Sequence, residues 1–438
     1  MMNNEVASHN RQLITYNRQP TPLSLTNYFH LPSSNSLSMN IFVINSGSSS
    51  IKYQLISMPE AKVICSGMVD RIGQKGARVD YKAFLTLGEI QESKQMSVPN
   101  HAAGLQAVAV FLTDPQIGVI KNPAEVEIVG HRVVHGGEKF STTQVITPEI
   151  KEKIKELFPL APLHNPANFL GIEVAEQIFT QAKQVAVFDT AFHQTMPPVA
   201  YRMAIPNELY EKEGIRSYGF HGTSHKYVSE RASELLGKQN LKIITVHLGN
   251  GCSMAAVQDG KCVDTSMGLG PMNGLVMGTR AGDIDQSVIF HLVNELGFTL
   301  DAVNNLLNKK SGMLGLTGFS DMRDIGKMYQ EGQEEAILAY NLYAYRIKKY
   351  LGSFAAAMNG LEAIVFTGGV GENDSLTRKL VCEKMDFLGI QIDLEKNKLS
   401  NSGPRAIHSS QSQVEIWVIP TNEELEIARQ CFEVVKGG

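Results

Sequence analysis

The chain contains the same strand–turn–strand unit twice, about 200 residues apart. The first unit covers residues 41–67 and turns at 45–50, and the second covers 243–265 and turns at 249–253. In both units, apolar β-branched runs end in Gly, Ser and Asn, a pattern typical of buried strands that enter tight loops. Backbone N–H groups that such loops aim together bind phosphate. The repetition therefore predicts a duplicated fold that holds a polyphosphate in the cleft between its halves.

Composition excludes several functional classes. The chain has 438 residues, too many for one ordinary core, so two domains are expected. A formal net charge of −4 provides no broad positive field, so neither nucleic acid nor a membrane is predicted as a partner. The five cysteines are scattered and form no C-x-x-C pair. This favours a reducing, cytoplasmic location over a zinc site or a disulfide framework.

Residues 1–38 differ in composition from the rest of the chain. They are rich in Asn, Ser, Thr and Pro, and they lack the continuous apolar core of a secretory signal. We interpret them as a disordered extension. Met39 precedes the first strand and offers an alternative start, whereas a transit peptide is the less favoured alternative.

After residue 38, predicted strands and helices alternate, which is typical of an α/β fold. A third strand with a glycine-rich turn is predicted at 363–373. A helix is predicted to end at Leu236 and to begin at Thr223 or Ser224, either of which is a suitable N-cap. The step from Asp259 to Gly260 predicts antiparallel pairing inside the second unit.

The three glycine-rich turns differ from the common phosphate motifs. No G-x-x-x-x-G-K-[ST] sequence occurs, which excludes a P-loop. The run 368–371 does not follow G-x-G-x-x-G, which disfavours a Rossmann dinucleotide site. One glycine after a strand is an ordinary turn, but three such turns, two of them in matching units, favour a phosphate site.

Candidate functional residues follow two predicted strands in the first half. Arg132 and Val134 project from one strand face, and this pairing suits a small carboxylate. The guanidinium fork binds the carboxylate oxygens while the apolar side chain covers the tail. An ordinary salt bridge is the alternative for Arg132. Asp189 ends a buried strand, where it can bind a metal-bound water or a proton, or can simply cap a turn.

The second half contributes three further candidates. His221 lies between an aromatic residue and a glycine before a helix, where imidazole can donate to a developing anion or can simply pack in a loop. Arg280 lies among small residues, like an arginine finger, with an ordinary surface position as the alternative. Glu423 opens the last helix, either as a first-turn residue or as a holder of water on Mg²⁺.

Together these segments resemble the acetokinase family, within the superfamily of acetate and sugar kinases, Hsp70 and actin. The resemblance extends from about Met39 to the C-terminus. The matching segments are 45–52, 131–137, 162–166, 188–197, 218–225, 247–251, 277–285, 367–373 and 420–424.

The resemblance implies a duplicated actin-like (ribonuclease H-like) α/β fold with a nucleotide cleft between two domains. The N-terminal domain would cover 39–189, with the C-terminal helix at 424–438 packing back on it, and the nucleotide-binding domain would cover 190–423. The implied reaction is reversible phosphoryl transfer between ATP and acetate, giving acetyl phosphate and ADP. The implied cofactor is Mg²⁺, with Mn²⁺ as a substitute, and the implied assembly is a homodimer.

By matching position, the resemblance also implies site residues. The residues that arrange Mg²⁺ are Asn45 and Glu423. The nucleotide-binding residues are Lys52, His247, Leu248, Gly249, Asn250, Gly251, Asp321, Met322, Arg323, Gly369, Val370, Gly371, Glu372 and Asn373. The acetate-binding residues are Arg132, Val134, Leu163, Phe220 and Pro271. The catalytic residues are Asp189, His221, Arg280 and Arg132.

Asp189 occupies the family's proposed proton donor/acceptor position, but physical chemistry favours a different role. Acetate is already a carboxylate at pH 7, so this nucleophile needs no strong base. The main obstacle is repulsion between two anions, which the cationic side chains, a histidine and Mg²⁺ oppose. Asp189 is therefore predicted to orient metal-bound water rather than to abstract a proton.

Three alternatives remain at this stage. A propionate kinase of the same family is the nearest, because one extra methylene changes pocket affinity by only about 1–3 kcal/mol. An ATP-dependent clamp or chaperone of the same superfold would need a peptide-binding region after the nucleotide domain. A filament-forming relative would hydrolyse ATP slowly and without dependence on acetate.

Overall fold

The computed structural model describes residues 38–47, 49–86 and 88–437. The expectations for residues 1–37 lie outside the described residues. Within them, the strands form two sheets. The first sheet contains β1 (Met39–Ser46), β2 (Ile51–Met58), β3 (Lys62–Asp70), β4 (Arg78–Leu85), β5 (Gly88–Gln95), β6 (Ile128–Val133), β7 (Gln144–Val145) and β8 (Lys183–Phe188). The second sheet contains β9 (Lys242–Leu248), β10 (Cys252–Gln258), β11 (Lys261–Thr265), β12 (Ala363–Thr367), β13 (Arg405–Ala406) and β14 (Glu415–Val418).

Helices connect and cover these sheets. Those before β9 are α1 (His101–Leu112), α2 (Pro148–Glu156), α3 (Asn165–Ile178), α4 (Pro198–Tyr201), α5 (Asn207–Glu213) and α6 (Gly222–Leu236). Those after β11 are α7 (Ser287–Asn294), α8 (Leu300–Lys309), α9 (Gly312–Thr317), α10 (Met322–Gln330), α11 (Glu334–Ala357), α12 (Gly368–Asn373), α13 (Ser375–Cys382), α14 (Leu394–Lys398) and α15 (Glu423–Lys436). None of the described helices combines the length and apolar character needed to cross a membrane.

The two sheets share one topology. The first contains the order β3-β2-β1-β6-β8 and the second the order β11-β10-β9-β12-β14. In both sheets, a three-strand antiparallel meander adjoins parallel strands. Strand β1 is antiparallel to β2 and parallel to β6. In the same way, β9 is antiparallel to β10 and parallel to β12. The predicted duplication is therefore confirmed. The antiparallel pairing predicted at the Asp-Gly step is also confirmed, because β10 and β11 form that hairpin.

This topology places the candidate residues at one edge of each sheet. Parallel strands present their carboxyl ends at the same edge, and ligands of open α/β sheets bind there. In the first sheet, β6 is followed by Val134 and β8 by Asp189. In the second, β9 is followed by the turn at 249–251 and β12 by Gly368.

Strand β1 is buried on both faces, as expected for the centre of a covered sheet. Its side chains alternate between two apolar clusters: Phe42 contributes to the cluster beneath α1 and α3, whereas Val43 contributes to the cluster beneath α15. Helix α15 presents Ile427 and Cys431 to that second cluster. The last helix thus packs on the first sheet, although the domain boundaries themselves stay a prediction.

Two local predictions need correction, and one pair of strands was not predicted. The residues after β12 form the short helix α12 rather than an open turn. Gly368 enters this helix with φ of 77°, and a Cβ there would lie 2.8 Å from the carbonyl oxygen of Leu248, so both the conformation and the space favour glycine. Helix α6 begins at Gly222, since the Ser224 hydroxyl is engaged by His247 and caps nothing. The hairpin β4–β5 was missed because β5 is largely exposed and polar, without a clear alternation.

The contact between β6 and α15 generates a stability prediction. A Cβ at Gly130 would lie 2.7 Å from Cys431 Sγ and 3.0 Å from Ile427 Cγ2, both fully buried. We expect Gly130→Ala to lower the free energy of unfolding by about 1–3 kcal/mol through overpacking. Urea unfolding midpoints provide the measurement.

The matched control is Gly352→Ala, in the interior of α11, where a Cβ meets nothing within 4 Å. This control should be neutral or stabilising by up to about 1 kcal/mol, because Ala favours helix. Equal urea midpoints for the two variants would show that α15 does not press on β6.

Candidate active site

A buried ion pair joins two of the predicted catalytic residues. Arg132 Nη2 donates to Asp189 Oδ2 at 2.8 Å, and the side chain of Asp189 is only 1% exposed. Burial by itself would raise the pKa of Asp189, but the charge and hydrogen bond of Arg132 and the N–H of His221 hold this pKa below its ordinary value. Asp189 is therefore ionised at neutral pH.

His221 connects this pair to the second sheet. Its backbone N–H donates to Asp189 Oδ2 at 2.8 Å, and its backbone is left-handed, with φ of 57°. Its ring stacks on His247 with centroids 4.4 Å apart. Burial lowers the pKa of His221 well below its ordinary value, and the charges of Arg132 and Arg280 add to this shift. The imidazole is therefore neutral.

The turn after β9 lies beside both side chains of the second half that are predicted to be catalytic. A Cβ at Gly251 would lie 3.5 Å from His221 Cε1 and 3.6 Å from Arg280 Nη1. Arg280 Nη1 also donates to the carbonyl oxygen of Pro271 at 2.9 Å. The glycine thus leaves space beside an imidazole and a guanidinium, which is the environment that a phosphoryl group requires.

A cavity of about 760 Å³ opens on the other side of this turn. Its walls come from the β9–β10 turn, α10, α11 and α12. The predicted nucleotide residues that line it are Gly249, Asn250, Asp321, Met322, Arg323, Gly369, Val370 and Asn373. Arg323 is 87% exposed and pairs with Asp321 at the rim, with Nη2 and Oδ2 2.6 Å apart.

Other predicted nucleotide residues lie outside the cavity lining. Leu248 and Gly371 are buried behind it, and Lys52 is exposed on β2 opposite Asn45. Glu372 Oε1 accepts from the N–H groups of Gly368 at 3.0 Å and Thr421 at 3.2 Å. His247 contacts the turn instead, since its Nε2 would lie 3.8 Å from a Cβ at Gly249.

The apolar residues predicted to bind acetate are only partly together. Val134 and Phe220 are both buried in one apolar cluster. Pro271 is linked to the site through the Arg280 hydrogen bond described above. Leu163 is 64% exposed, unlike Val134 and Phe220, and its place in the same pocket stays a prediction.

Comparison with known proteins identifies the family. The model of the acetokinase family matches residues 40–429. The chain belongs to the acetokinase family.

Relatives and solved structures agree with this assignment. Acetate kinase from Flavobacterium johnsoniae is 59% identical over 398 residues, covering 91% of this chain and 100% of the relative. Acetate kinase from Thermotoga maritima is 51% identical, covering 91% and 99%. The crystal structure of Porphyromonas gingivalis acetate kinase superposes with a TM-score of 0.85 at 44% identity, covering 91% and 100%. A propionate kinase from Francisella tularensis gives 0.84 at 44% identity, covering 90% and 99%. The predicted actin-like α/β fold is thereby confirmed.

Two side-chain oxygens fit a hard cation: one of Asn45, which the resemblance implies to arrange Mg²⁺, and one of Asp189, which is predicted to orient metal-bound water. Asp189 Oδ1 is buried and has no hydrogen-bond partner among the described residues, and Asn45 Oδ1 has only a long contact of 3.4 Å, from Arg132. The described residues contain no cluster of three or more His, Cys, Asp or Glu side chains around a metal-sized space. Mg²⁺ characteristically uses one or two carboxylates plus substrate phosphates, so a sparse set of oxygens suits it.

Sequence reasoning missed several residues of this acetokinase site. Burial lowers the pKa of His164, and the nearby charges of Arg132 and Arg280 lower it further, which associates this histidine with the same site. The only signal was its place in the proline-rich segment 162–166. Cavity-lining residues that were also missed include Ser320, Gly326, Lys327, Gln330 and Tyr340.

Proposed function

We propose that this protein is an acetate kinase, which transfers the γ-phosphoryl group of ATP to acetate and gives acetyl phosphate and ADP, reversibly. The observation that carries the proposal is the position of Gly251. Its turn lines the cavity through Gly249 and Asn250, and a Cβ at Gly251 would lie within 4 Å of His221 and Arg280. A nucleotide in the cavity would therefore direct its terminal phosphate at the catalytic side chains.

The chemistry requires positive charge more than proton transfer. An oxygen of acetate attacks the γ-phosphorus while the bond to the β–γ bridging oxygen breaks, and ADP leaves with that electron pair. Charge accumulates on the three equatorial oxygens during transfer. We assign Arg280 and neutral His221 to the phosphoryl group in transit, and Arg132 to the carboxylate of acetate. With their charges opposed in this way, the two anions can approach in line.

Mg²⁺, for which Mn²⁺ can substitute, would neutralise the β- and γ-phosphates when bound. Asn45 and Glu423 are the residues we assign to arranging it. The charge of Glu423 acts on both Arg132 and His247, which supports its location beside the site. Lys52 pairs with Asn45 across the β1–β2 hairpin, which supports its assignment to the same phosphates.

Val134 and Phe220 are assigned to the methyl group of acetate. The alternative substrate is propionate, favoured by the similarity to a propionate kinase at a TM-score of 0.84. A hydroxamate assay with acetate, propionate and butyrate, each with ATP and Mg²⁺, separates the two. We expect the largest kcat/KM with acetate. A larger value with propionate would make the chain a propionate kinase, and no acyl phosphate with any acid would refute the kinase assignment.

We further propose a homodimer in the cytoplasm. Five apolar side chains exposed between 38% and 71% are concentrated at α7, α8 and their connection: Val288, Phe290, Leu296, Phe298 and Leu300. Exposed apolar concentrations of this kind mark protein interfaces. Light scattering should give twice the chain mass, and a monomeric mass at assay concentration would contradict the dimer.

The five free, buried cysteines support a reducing compartment.

Removal of Arg280 should impair the chemical step selectively. We expect Arg280→Ala to lower kcat by about 10³-fold or more, with a much smaller rise in KM for either substrate, because its contact with the phosphoryl group strengthens in the transition state. Steady-state kinetics provide the measurement. The control is Arg323→Ala, at the exposed rim, which should raise KM for ATP with little effect on kcat. Unchanged kcat in Arg280→Ala would remove this residue from the mechanism.

The Asp189→Asn variant distinguishes metal orientation from proton transfer. A carboxylate whose pKa is held below its ordinary value is a poor base at neutral pH, so we expect the main effect on the Mg²⁺ concentration needed for half-maximal rate. At saturating Mg²⁺, kcat should return close to the wild-type value. A large loss of kcat that persists at saturating Mg²⁺ would favour an essential proton transfer.

A further inference from the structure

Behind His221, three buried hydrogen bonds connect four side chains. Thr245 Oγ1 lies 2.7 Å from His225 Nδ1, and His225 Nε2 lies 2.7 Å from Ser253 Oγ. Ser253 Oγ in turn lies 2.8 Å from His221 Nδ1. Thr245, His225 and Ser253 are each 0% exposed. We call this chain of side chains the imidazole relay.

The number of protons in the relay restricts its hydrogen bonds to two arrangements. A charge on either ring would be unfavourable, because His225 is fully buried and His221 stacks on His247 beside Arg280, so both rings are neutral. A neutral imidazole has one N–H and one lone pair, and a hydroxyl has one hydrogen. All three hydrogen bonds can therefore form together only if every donor in the relay donates in the same direction along it.

The two directions present different atoms to the site. If Thr245 donates to His225, each member donates to the next and His221 presents an Nε2–H. If Thr245 instead donates to the carbonyl of Ala255, at a long 3.4 Å, His221 presents a bare lone pair. A phosphoryl anion beside two arginines accepts from an N–H and is repelled by a lone pair. Binding of such an anion therefore favours the first direction.

A second chain of hydroxyls leads to the neighbouring ring. Thr421 Oγ1 donates to Ser224 Oγ at 2.9 Å, and Ser224 Oγ lies 2.8 Å from His247 Nδ1. With Thr421 as donor, the hydroxyl of Ser224 is left to donate to His247, whose Nε2 then carries the hydrogen. The rings of His221 and His247 stack at 22° between planes, a contact that two neutral imidazoles make without charge repulsion.

We propose that His225, Ser253 and Thr245 are positioning residues, which hold His221 as its neutral Nε2–H tautomer so that it donates to the phosphoryl group in transit. This inference rests on the proposed kinase function for the identity of the anion. It requires no net proton movement, because the relay fixes a tautomer and transfers no proton to substrate.

The decisive comparison removes one buried hydroxyl from the relay and one from outside it. Thr245→Val deletes the far end of the relay, on β9. Thr265→Val deletes a similar hydroxyl on β11, which donates to the carbonyl of Met254 at 2.9 Å. We expect Thr245→Val to lower kcat by about 10- to 100-fold with KM near wild type, less than the loss of a whole transition-state donor. Thr265→Val should keep the wild-type kcat.

Histidine ¹⁵N NMR gives a readout that does not depend on turnover or on stability of a variant. In wild-type protein with Mg²⁺ and a non-hydrolysable ATP analogue, His221 should show a protonated Nε2 and an unprotonated Nδ1. Ser253→Ala should allow both tautomers. The signals are assigned by loss in a His221→Gln variant.

Two results would overturn the relay: a protonated Nδ1 on His221 in the nucleotide complex, or equal kcat values for Thr245→Val and Thr265→Val. Failure of the kinase proposal is distinguishable, since wild-type protein would then form no acyl phosphate with any acid, whereas the ¹⁵N spectrum would still report the tautomer.

Discussion

The rest of the site depends on the buried carboxylate of Asp189. It directly follows β8 of the first sheet, yet it accepts a hydrogen bond from the backbone N–H of His221, the residue just before α6 in the second half. It also fixes the guanidinium of Arg132. Left-handed backbone at a non-glycine residue costs about 1–3 kcal/mol and persists only where surroundings over-determine it. The Asp189 contact provides that constraint for His221, so one carboxylate orients a cation and an imidazole at once.

A buried ion pair is weak evidence for stability, because desolvation offsets much of the attraction. Its value here lies in geometry. Loss of either partner leaves an uncompensated buried charge, so Arg132 cannot easily turn away from the site. The remaining cations and histidines divide the work: arginines supply charge that does not vary near neutral pH, and buried histidines supply hydrogen bonds without charge. The electrostatics of the site therefore change little across the physiological pH range.

Much of the fold could be predicted from local sequence. Duplication was visible because each half places a β-branched run, a small-residue turn and a second strand in the same order, and the turns are constrained by backbone geometry. The β4–β5 hairpin was not visible, because an outer strand exposed to solvent needs no apolar alternation. The N-terminus of α6 was misplaced for a different reason: Ser224 has the chemistry of a cap, but a tertiary contact with His247 uses its hydroxyl.

The site shows the same division between local and tertiary information. Arg132, Asp189, His221 and Arg280 could be predicted as site residues because each follows a strand or lies in a glycine-rich segment, which are features of the sequence itself. The relay behind His221 has no such signal. Its members come from β9, β10 and the N-terminal part of α6 with the residue before it. The register of β9 against β10, which sets Ser253 opposite His247, brings the two hydroxyls close to His221 and His225. A buried Thr or Ser reads as ordinary core until that register is known. Residues that tune a catalytic group through hydrogen bonds are thus the part of an active site that sequence patterns report least, because their chemistry is defined by their partners rather than by their neighbours in the chain.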